Sequence, residues 1–390
     1  MLRGINKKSS AYIPHNRVKL VRGGRDYFST LTRLINHAQH SIHLQVYIYE
    51  NDETGQMVAA RLMEAAKRGV NVYLLCDGYA SKELSAGFIK ELQTAGVHFR
   101  FFEPLLKSEH FYFGRRMHHK VLVVDGHYGL VGGINISNRY NDMDNEPAWL
   151  DWALYMEGQA AGALFKVCID VWARPGQMAL KRNLRHEIPA IPSAGNSPLR
   201  IRRNDWVKRK NQISRSYINM LKQATSHVIL MSGYFLPGSI IRHQLTRASK
   251  RNIEIKVIVA GKSDVKLAKH AERYMYRWLL KRNIKLYEYN QSVLHGKMAT
   301  RDGKWVTIGS YNVNDISAYA SVELNVDVND VEFATHVQQQ LEAIIEKDCI
   351  PVTQEDYNKR YNFFQRFIQY CSYWLVRIIF YLFTFYFKQR

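Results

Sequence analysis

The chain has 390 residues, 46% of them hydrophobic and only 9 of them proline, so it is long enough to bury a sizeable core and too apolar to remain disordered. Lys plus Arg number 55 against 34 Asp plus Glu, a formal charge of +21 that concentrates polyanions such as nucleic acid or anionic lipid headgroups. Cys76, Cys168, Cys349 and Cys371 lie far apart without C-x-x-C spacing, which argues against a disulfide framework and for reduced thiols in a cytosol-facing protein. The first residues, MLRGINKKSSAYIPHNR, hold no apolar core of signal-peptide length, so neither secretion by that route nor an N-terminal anchor is expected.

Taken in chain order, the elements are written twice. Residues 31 to 49 read as a helix running into a strand, and residues 217 to 235 repeat that order. Residues 59 to 78 give a helix, a Gly stop and a β-branched strand, answered at 243 to 262 with Asn at the stop. A third pair follows at 88 to 102 and 275 to 289. Alternating helix and strand predicts an α/β chain of two similar α/β/α sandwich halves with mainly parallel sheets. The expected halves are residues 17 to 174 and 199 to 350, joined by a Pro- and Gly-containing linker at 175 to 198.

Residues 361 to 390 differ from everything before them, being rich in aromatics and nearly free of acids. At about 100° per residue, Arg366, Tyr370, Tyr373, Arg377, Thr384 and Lys388 share one narrow sector of a helix. Phe367, Ile368, Leu375, Ile378, Ile379, Leu382 and Phe383 fan across the rest. Such an amphipathic aromatic helix suits the membrane interface, the alternative being a helix packed on the protein's own core or on a second copy. Arg377 near its middle makes a single span costly.

The chemistry-bearing pattern is also doubled. His118-x-Lys120-x4-Asp125 is followed by Gly132, Gly133 and Asn135; His295-x-Lys297-x4-Asp302 is followed by Gly309, Ser310 and Asn312, every position offset by 177. In an extended strand His118 and Lys120 share a face and His119 points away. Asp125-Gly126 and Asp302-Gly303 read as hairpin turns returning each Asn towards the same cavity. Either copy alone is an ordinary hairpin; two in register supply paired imidazoles, ammonium groups and carboxamides, the parts for cutting and rejoining a phosphodiester without a metal. One neutral histidine can attack phosphorus while the other, protonated, serves the departing alcohol. Lys120, Lys297, Asn135 and Asn312 are expected to hold the non-bridging oxygens. Asp125 and Asp302, at the turns, complete the motifs and are expected to support the hairpin and the lysine. His110, His118 and His119 cluster in sequence, but the strand separates their directions, so no metal site and no cofactor are expected. Arg115 and Arg116, at the end of the aromatic and basic segment 99 to 116, are candidates for lipid headgroup contact or an ordinary surface loop.

The paired motifs, with CDGYAS at 76 to 81, LQTAGVHFRFFEP at 92 to 104, GGIN and SGYFLPG at 232 to 238, resemble the phospholipase D superfamily, and within it the bacterial cardiolipin synthase family, especially its B type. The resemblance covers residues 17 to 350 and departs where His119 stands in place of the Arg expected between motif His and Lys. It implies that the halves fold alike and meet at one active site. It also implies an acid downstream of each motif to orient a histidine, at Asp151 and Glu323, and its precedent leans towards His118 as the nucleophile. The activity implied is phosphatidyl transfer through phosphohistidine to phosphatidylglycerol, with phosphatidylglycerol or phosphatidylethanolamine as donor, at the cytoplasmic face of a bacterial inner membrane. Three other functions stay open: a phospholipase D using water as acceptor, a nuclease of the same superfamily, and an inactive lipid-binding protein. The tail argues against nucleic acid as the partner.

Overall fold

The computed structural model describes residues 11 to 104, 115 to 144, 146 to 173, 177 and 195 to 388, with side chains described as far as Tyr381. His110, most of the segment 99 to 116 and most of the expected linker lie outside the described residues, as do the side chains of Thr384 and Lys388.

The first half runs β1 (Asn16–Arg22), α1 (Arg25–His37), β2 (Ser41–Val46), α2 (Glu53–Lys67), β3 (Asn71–Asp77), α3 (Ala86–Thr94), β4 (His98–Phe102), β5 (Lys120–Val124), β6 (Tyr128–Gly132), β7 (Trp152–Gly158) and α4 (Gln159–Trp172). The second runs β8 (Leu199–Asp205), β9 (Lys210–Asn211), α5 (Gln212–Gln223), β10 (His227–Ser232), α6 (Ser239–Lys250), β11 (Glu254–Ala260), α7 (Lys266–Leu280), β12 (Lys285–Tyr289), β13 (Lys297–Arg301), β14 (Trp305–Gly309), α8 (Asp315–Tyr319), β15 (Glu323–Val328), α9 (Val331–Asp348) and β16 (Cys349–Val352). Two helices follow, α10 (Gln354–Arg360) and α11 (Phe363–Lys388).

Local chemistry explains the helices. In α1, Tyr27, Phe28, Leu31, Leu34 and Ile35 recur at helical spacing and are the buried stripe. Asp52 caps α2 by accepting from Gly55 N at 2.9 Å.

The strand orders are β1-β7-β6-β5-β2-β3-β4 and β16-β12-β11-β10-β13-β14-β15-β8-β9, so the doubling seen in the sequence is a doubling of architecture. The expectation of mainly parallel sheets is corrected. Only β2-β3-β4 and β10-β11-β12 run parallel; every other pairing is antiparallel. Lys120–Val124 is buried on both faces, a pattern usual in parallel strands but produced here by an antiparallel strand sandwiched between layers. One core, under α1, α2 and α3, covers the outer face of the first sheet, and another, under α5, α6 and α7, covers that of the second. A third joins both sheets with α4 and α9, including Val121, Val123, Met231, Met298 and Phe165. The inner faces therefore share one core.

The tail is a helix, but its stripe faces the opposite way to that of a freely floating amphipath. Arg377 pairs with Asp315 at 3.0 Å, and Tyr373 lies with its ring 4.6 Å from that of Tyr274 on α7. Tyr373, with Gln369, Ser372 and Val376 buried beside it, thus docks this part of the helix on the second half. Phe364, Phe367, Leu375 and Ile378 project outward, each about half exposed or more. Among the described residues no helix is long and apolar enough to cross a membrane.

Candidate active site at the seam of the halves

Both motifs sit where the halves are stitched together by backbone. His118 N donates to Val322 O at 2.9 Å and Val322 N to Arg116 O at 2.8 Å. By the same geometry, His295 N and Gly296 N donate to Leu150 O at 2.8 and 2.9 Å. Val322 precedes Glu323 and Leu150 precedes Asp151, so each motif enters its strand beside the other half's acid.

The side chains follow. His118 Nδ1 lies 2.9 Å from Glu323 Oε2, and His295 Nδ1 lies 2.6 Å from Asp151 Oδ2. The two acids named in the sequence thus each lie beside Nδ1 of a motif histidine, reaching across the seam to that of the opposite half. A carboxylate on Nδ1 selects the Nδ1–H tautomer and leaves the Nε2 lone pair for chemistry. Burial pushes the His295 pKa down to about 4, helped by the Lys297 charge and opposed by Asp151. Burial also lowers that of His118, against the pull of Glu323. Burial alone would raise Asp151, but Lys297 and the hydrogen bond from His295 outweigh it and hold it low.

Lys120 and Lys297 are buried, and each ammonium donates to the carbonyl of its own motif histidine, Lys120 at 3.0 Å. Burial lowers both, Lys297 to about 8 and Lys120 well below its ordinary value, where the charge of Lys297 adds to the effect. Asp151, 4.0 Å from Lys297, and Glu323 oppose the effect of burial on both lysines. Asn135 Oδ1 accepts from Ile48 N at 3.0 Å while its Nδ2 donates to the Tyr140 hydroxyl at 2.9 Å. Asn312 Oδ1 accepts from Tyr234 N at 3.3 Å, so both motif asparagines clamp the loop leaving the neighbouring parallel strand.

Other candidates are not brought to the site. Asp125 ends β5, five residues and about 16 Å of strand from Lys120. It accepts from the amides of Gln39, His40 and Ser41 at 2.8 to 2.9 Å, and Asp302 accepts likewise from Thr225, Ser226 and His227 at 2.9 to 3.0 Å. These aspartates pin the hairpin tip to the start of the next strand and have no contact with the lysines. Arg115 is buried and paired with Asp205 at 3.0 Å and with Glu103, so its charge is spent inside the fold, contrary to a headgroup role. Arg116 donates to Glu103 O at 3.1 Å and lies 3.7 Å from Asp77, with Nη2 buried and unpartnered. His119 points the other way, to Gln45 Oε1 at 3.0 Å.

The structure adds residues that sequence reasoning missed. Tyr47 stacks edge-on against His118 at 4.8 Å and carries Lys120 over its ring at 4.8 Å. Tyr140 and Trp149 enclose His295, with ring centroids at 5.2 and 6.0 Å. Tyr140 follows Asn135 by five residues, a spacing whose counterpart in the second half is Ser317, so the repeat carried no signal for it. Gly133 and Ser310 occupy equivalent positions for opposite reasons. A Cβ on Gly133 would lie 2.4 Å from the Asp151 carboxylate, whereas the Ser310 hydroxyl donates to Glu323.

Comparison with known proteins agrees with this geometry. The family described as "Cardiolipin synthase, PLD-like domain" matches residues 31 to 153 and 217 to 345. Cardiolipin synthase B of Escherichia coli K12 is 32% identical over 352 residues, covering 88% of this chain and 84% of that protein. Cardiolipin synthase of Halalkalibacterium halodurans is 30% identical over 311 residues, covering 79% and 61% respectively. Among solved structures, phosphatidylserine synthase of Haemophilus influenzae superposes with a TM-score of 0.74 at 13% identity, covering 96% of this chain and 97% of that one, and so shares the fold. Two repeated halves, a seam carrying both motifs and these relatives together show that the chain belongs to the phospholipase D-like cardiolipin synthase family and is a phospholipid phosphatidyltransferase.

Proposed function

We propose that the protein transfers a phosphatidyl group, through a phosphohistidine, to the hydroxyl of phosphatidylglycerol and releases glycerol or another headgroup alcohol. The observation that carries this reading is the crossed pair of imidazoles, each with Nε2 free for chemistry, beside two buried lysines. In the first half-reaction one Nε2 attacks phosphorus, the P–N bond forms as the P–O bond to the headgroup breaks, and the second imidazolium gives its proton to the departing oxygen. In the second, the acceptor hydroxyl attacks phosphorus, its proton passes to that same imidazole, and the P–N bond breaks. Because burial and the lysines disfavour a protonated histidine, the anionic phosphodiester supports the protonation its own cleavage needs. Lys120 and Lys297 hold the non-bridging oxygens, and Arg116 reaches the headgroup side.

The names of the relatives support transfer over hydrolysis. The outward aromatic face of α11 and the +21 charge support work on an anionic membrane surface, with the tail lying on the cytoplasmic face of a bacterial inner membrane. Residues 17 to 174 and 199 to 350 act as the two halves of the enzyme, and 361 to 390 as its membrane-facing tail. Purified protein given vesicles of phosphatidylglycerol labelled in the headgroup tests this: cardiolipin with free glycerol is expected. Phosphatidic acid with glycerol, and no cardiolipin, would replace transfer by hydrolysis.

A further inference from the structure

One carboxylate borders the site without a task in the steps above. Asp264 lies exposed in the loop between β11 and α7, and accepts a hydrogen bond from the Tyr234 hydroxyl. Tyr234 is itself tied to the second motif, its amide donating to Asn312 Oδ1 at 3.3 Å. The charge of Asp264 is felt by Lys297 on the floor of the site and by Arg139 and Tyr140 of the first half. Arg139 in turn lies 5.6 Å over the ring of Trp149, the residue flanking His295. Asp264 and Tyr234 therefore stand beside the second motif, and the field of the carboxylate reaches Arg139 on the other half, which covers Trp149 beside His295.

A carboxylate here cannot serve the phosphate, which it repels. It can only accept, and its acceptor oxygens stand beside an aromatic ring whose backbone is held by the motif residue Asn312. Aromatic faces supply area and the carboxylate supplies direction, a combination that suits a small polyol with several hydroxyl donors. We infer that Asp264 and Tyr234 form the alcohol subsite, receiving the free hydroxyls of a glycerol headgroup as it departs and as the acceptor enters. The inference rests on the phosphatidyl-transfer reading and deepens it by naming what selects the alcohol. An ammonium group, as in ethanolamine, presents similar donor chemistry, so the test separates the two.

The experiment is alcohol competition. The full-length enzyme receives vesicles of acyl-labelled phosphatidylglycerol with equal concentrations of isotopically labelled glycerol, ethanolamine and 1-propanol, and the three phosphatidyl alcohols are quantified by mass spectrometry. Wild-type protein is expected to favour glycerol over propanol, and Asp264→Ala to lower the glyceryl to propyl ratio about tenfold, the scale of losing a hydrogen bond to a charged group. Tyr234→Phe, which removes only the hydroxyl that steadies the carboxylate, is expected to lower it by a smaller factor. An unchanged ratio in Asp264→Ala, or an equal fall of all three products, overturns the subsite. A fall confined to the ethanolamine product overturns its assignment to a polyol. If wild-type protein forms none of the three products, and His118→Ala is indistinguishable from it, the transfer reading itself fails and takes the subsite with it.

Discussion

Asp151, from the first half of the chain, lies 2.6 Å from Nδ1 of His295, from the second, and Glu323 repays the relationship at 2.9 Å from His118. Neither half supplies the carboxylate beside its own motif histidine, so the proposed site is complete only when both halves are folded and joined. Asp151→Asn and Glu323→Gln keep the shape but favour the wrong tautomer, and are expected to reduce turnover by about a hundredfold or more with little change in KM. Steady-state kinetics on vesicles, with thermal melting to confirm the fold, checks this.

The motif aspartates are expected to behave oppositely. Asp125 and Asp302 each hold three backbone amides far from the lysines, and those amides pull the Asp302 pKa down to about 2 despite partial burial. Alanine at either position should lower stability by about 2 kcal/mol while each folded molecule retains most of its turnover. Denaturant unfolding paired with activity per folded molecule distinguishes this from a catalytic loss.

Arg115→Ala should likewise act through stability. It leaves Asp205 and Glu103 buried without their cation, an effect of about 3 kcal/mol, and should leave the KM for lipid in place. A raised KM with unchanged melting would restore its headgroup role.

Acid should destabilise the fold before it denatures the carboxylate pairs. Burial pushes His43 and His119 down to about 3 and His295 to about 4, so the unfolded chain binds more protons than the folded one below about pH 6.5. Stability is therefore full above that pH and falls as pH drops through the window from 6.5 to 4, by up to about 1.4 kcal/mol per unit for each histidine. His43 packs between Tyr73 and Phe165 at 4.6 and 4.8 Å, so His43→Phe keeps aromatic packing and should flatten the acid limb in urea titrations at successive pH values.

The helix α11 predicts a separation of membrane binding from folding. Phe364→Ser with Trp374→Ser alters only exposed aromatics, and should weaken binding to anionic vesicles about tenfold with melting nearly unchanged. Arg377→Ala removes the contact with Asp315, and should instead loosen the helix itself, read as faster hydrogen exchange.

Much of the site was legible because chemistry repeated at a fixed offset cannot come from packing alone. His118, Lys120, His295 and Lys297 stood out by that offset, and the family resemblance named Asp151 and Glu323, each of which lies beside a motif histidine. The crossing of those acids was not legible, since it depends on which backbone lies against which at the seam. The parallel expectation failed because helix and strand alternate only as far as β4 and β12; the strands of the two motif hairpins, and β7 and β15 after them, pair antiparallel. Arg115 looked exposed because its partners, Glu103 and Asp205, are distant or unremarkable in sequence. Tyr47 and Trp149 carried no motif at all; only the fold sets them against the histidines.

The central claim is one site per chain, built from both halves and requiring both histidines. Its most direct test is cardiolipin formation from labelled phosphatidylglycerol by His118→Ala, by His295→Ala and by an equimolar mixture of the two, each with the wild-type melting profile. The account predicts that all three are inactive, since each chain lacks one imidazole of its only site. Substantial cardiolipin from either single variant would contradict it.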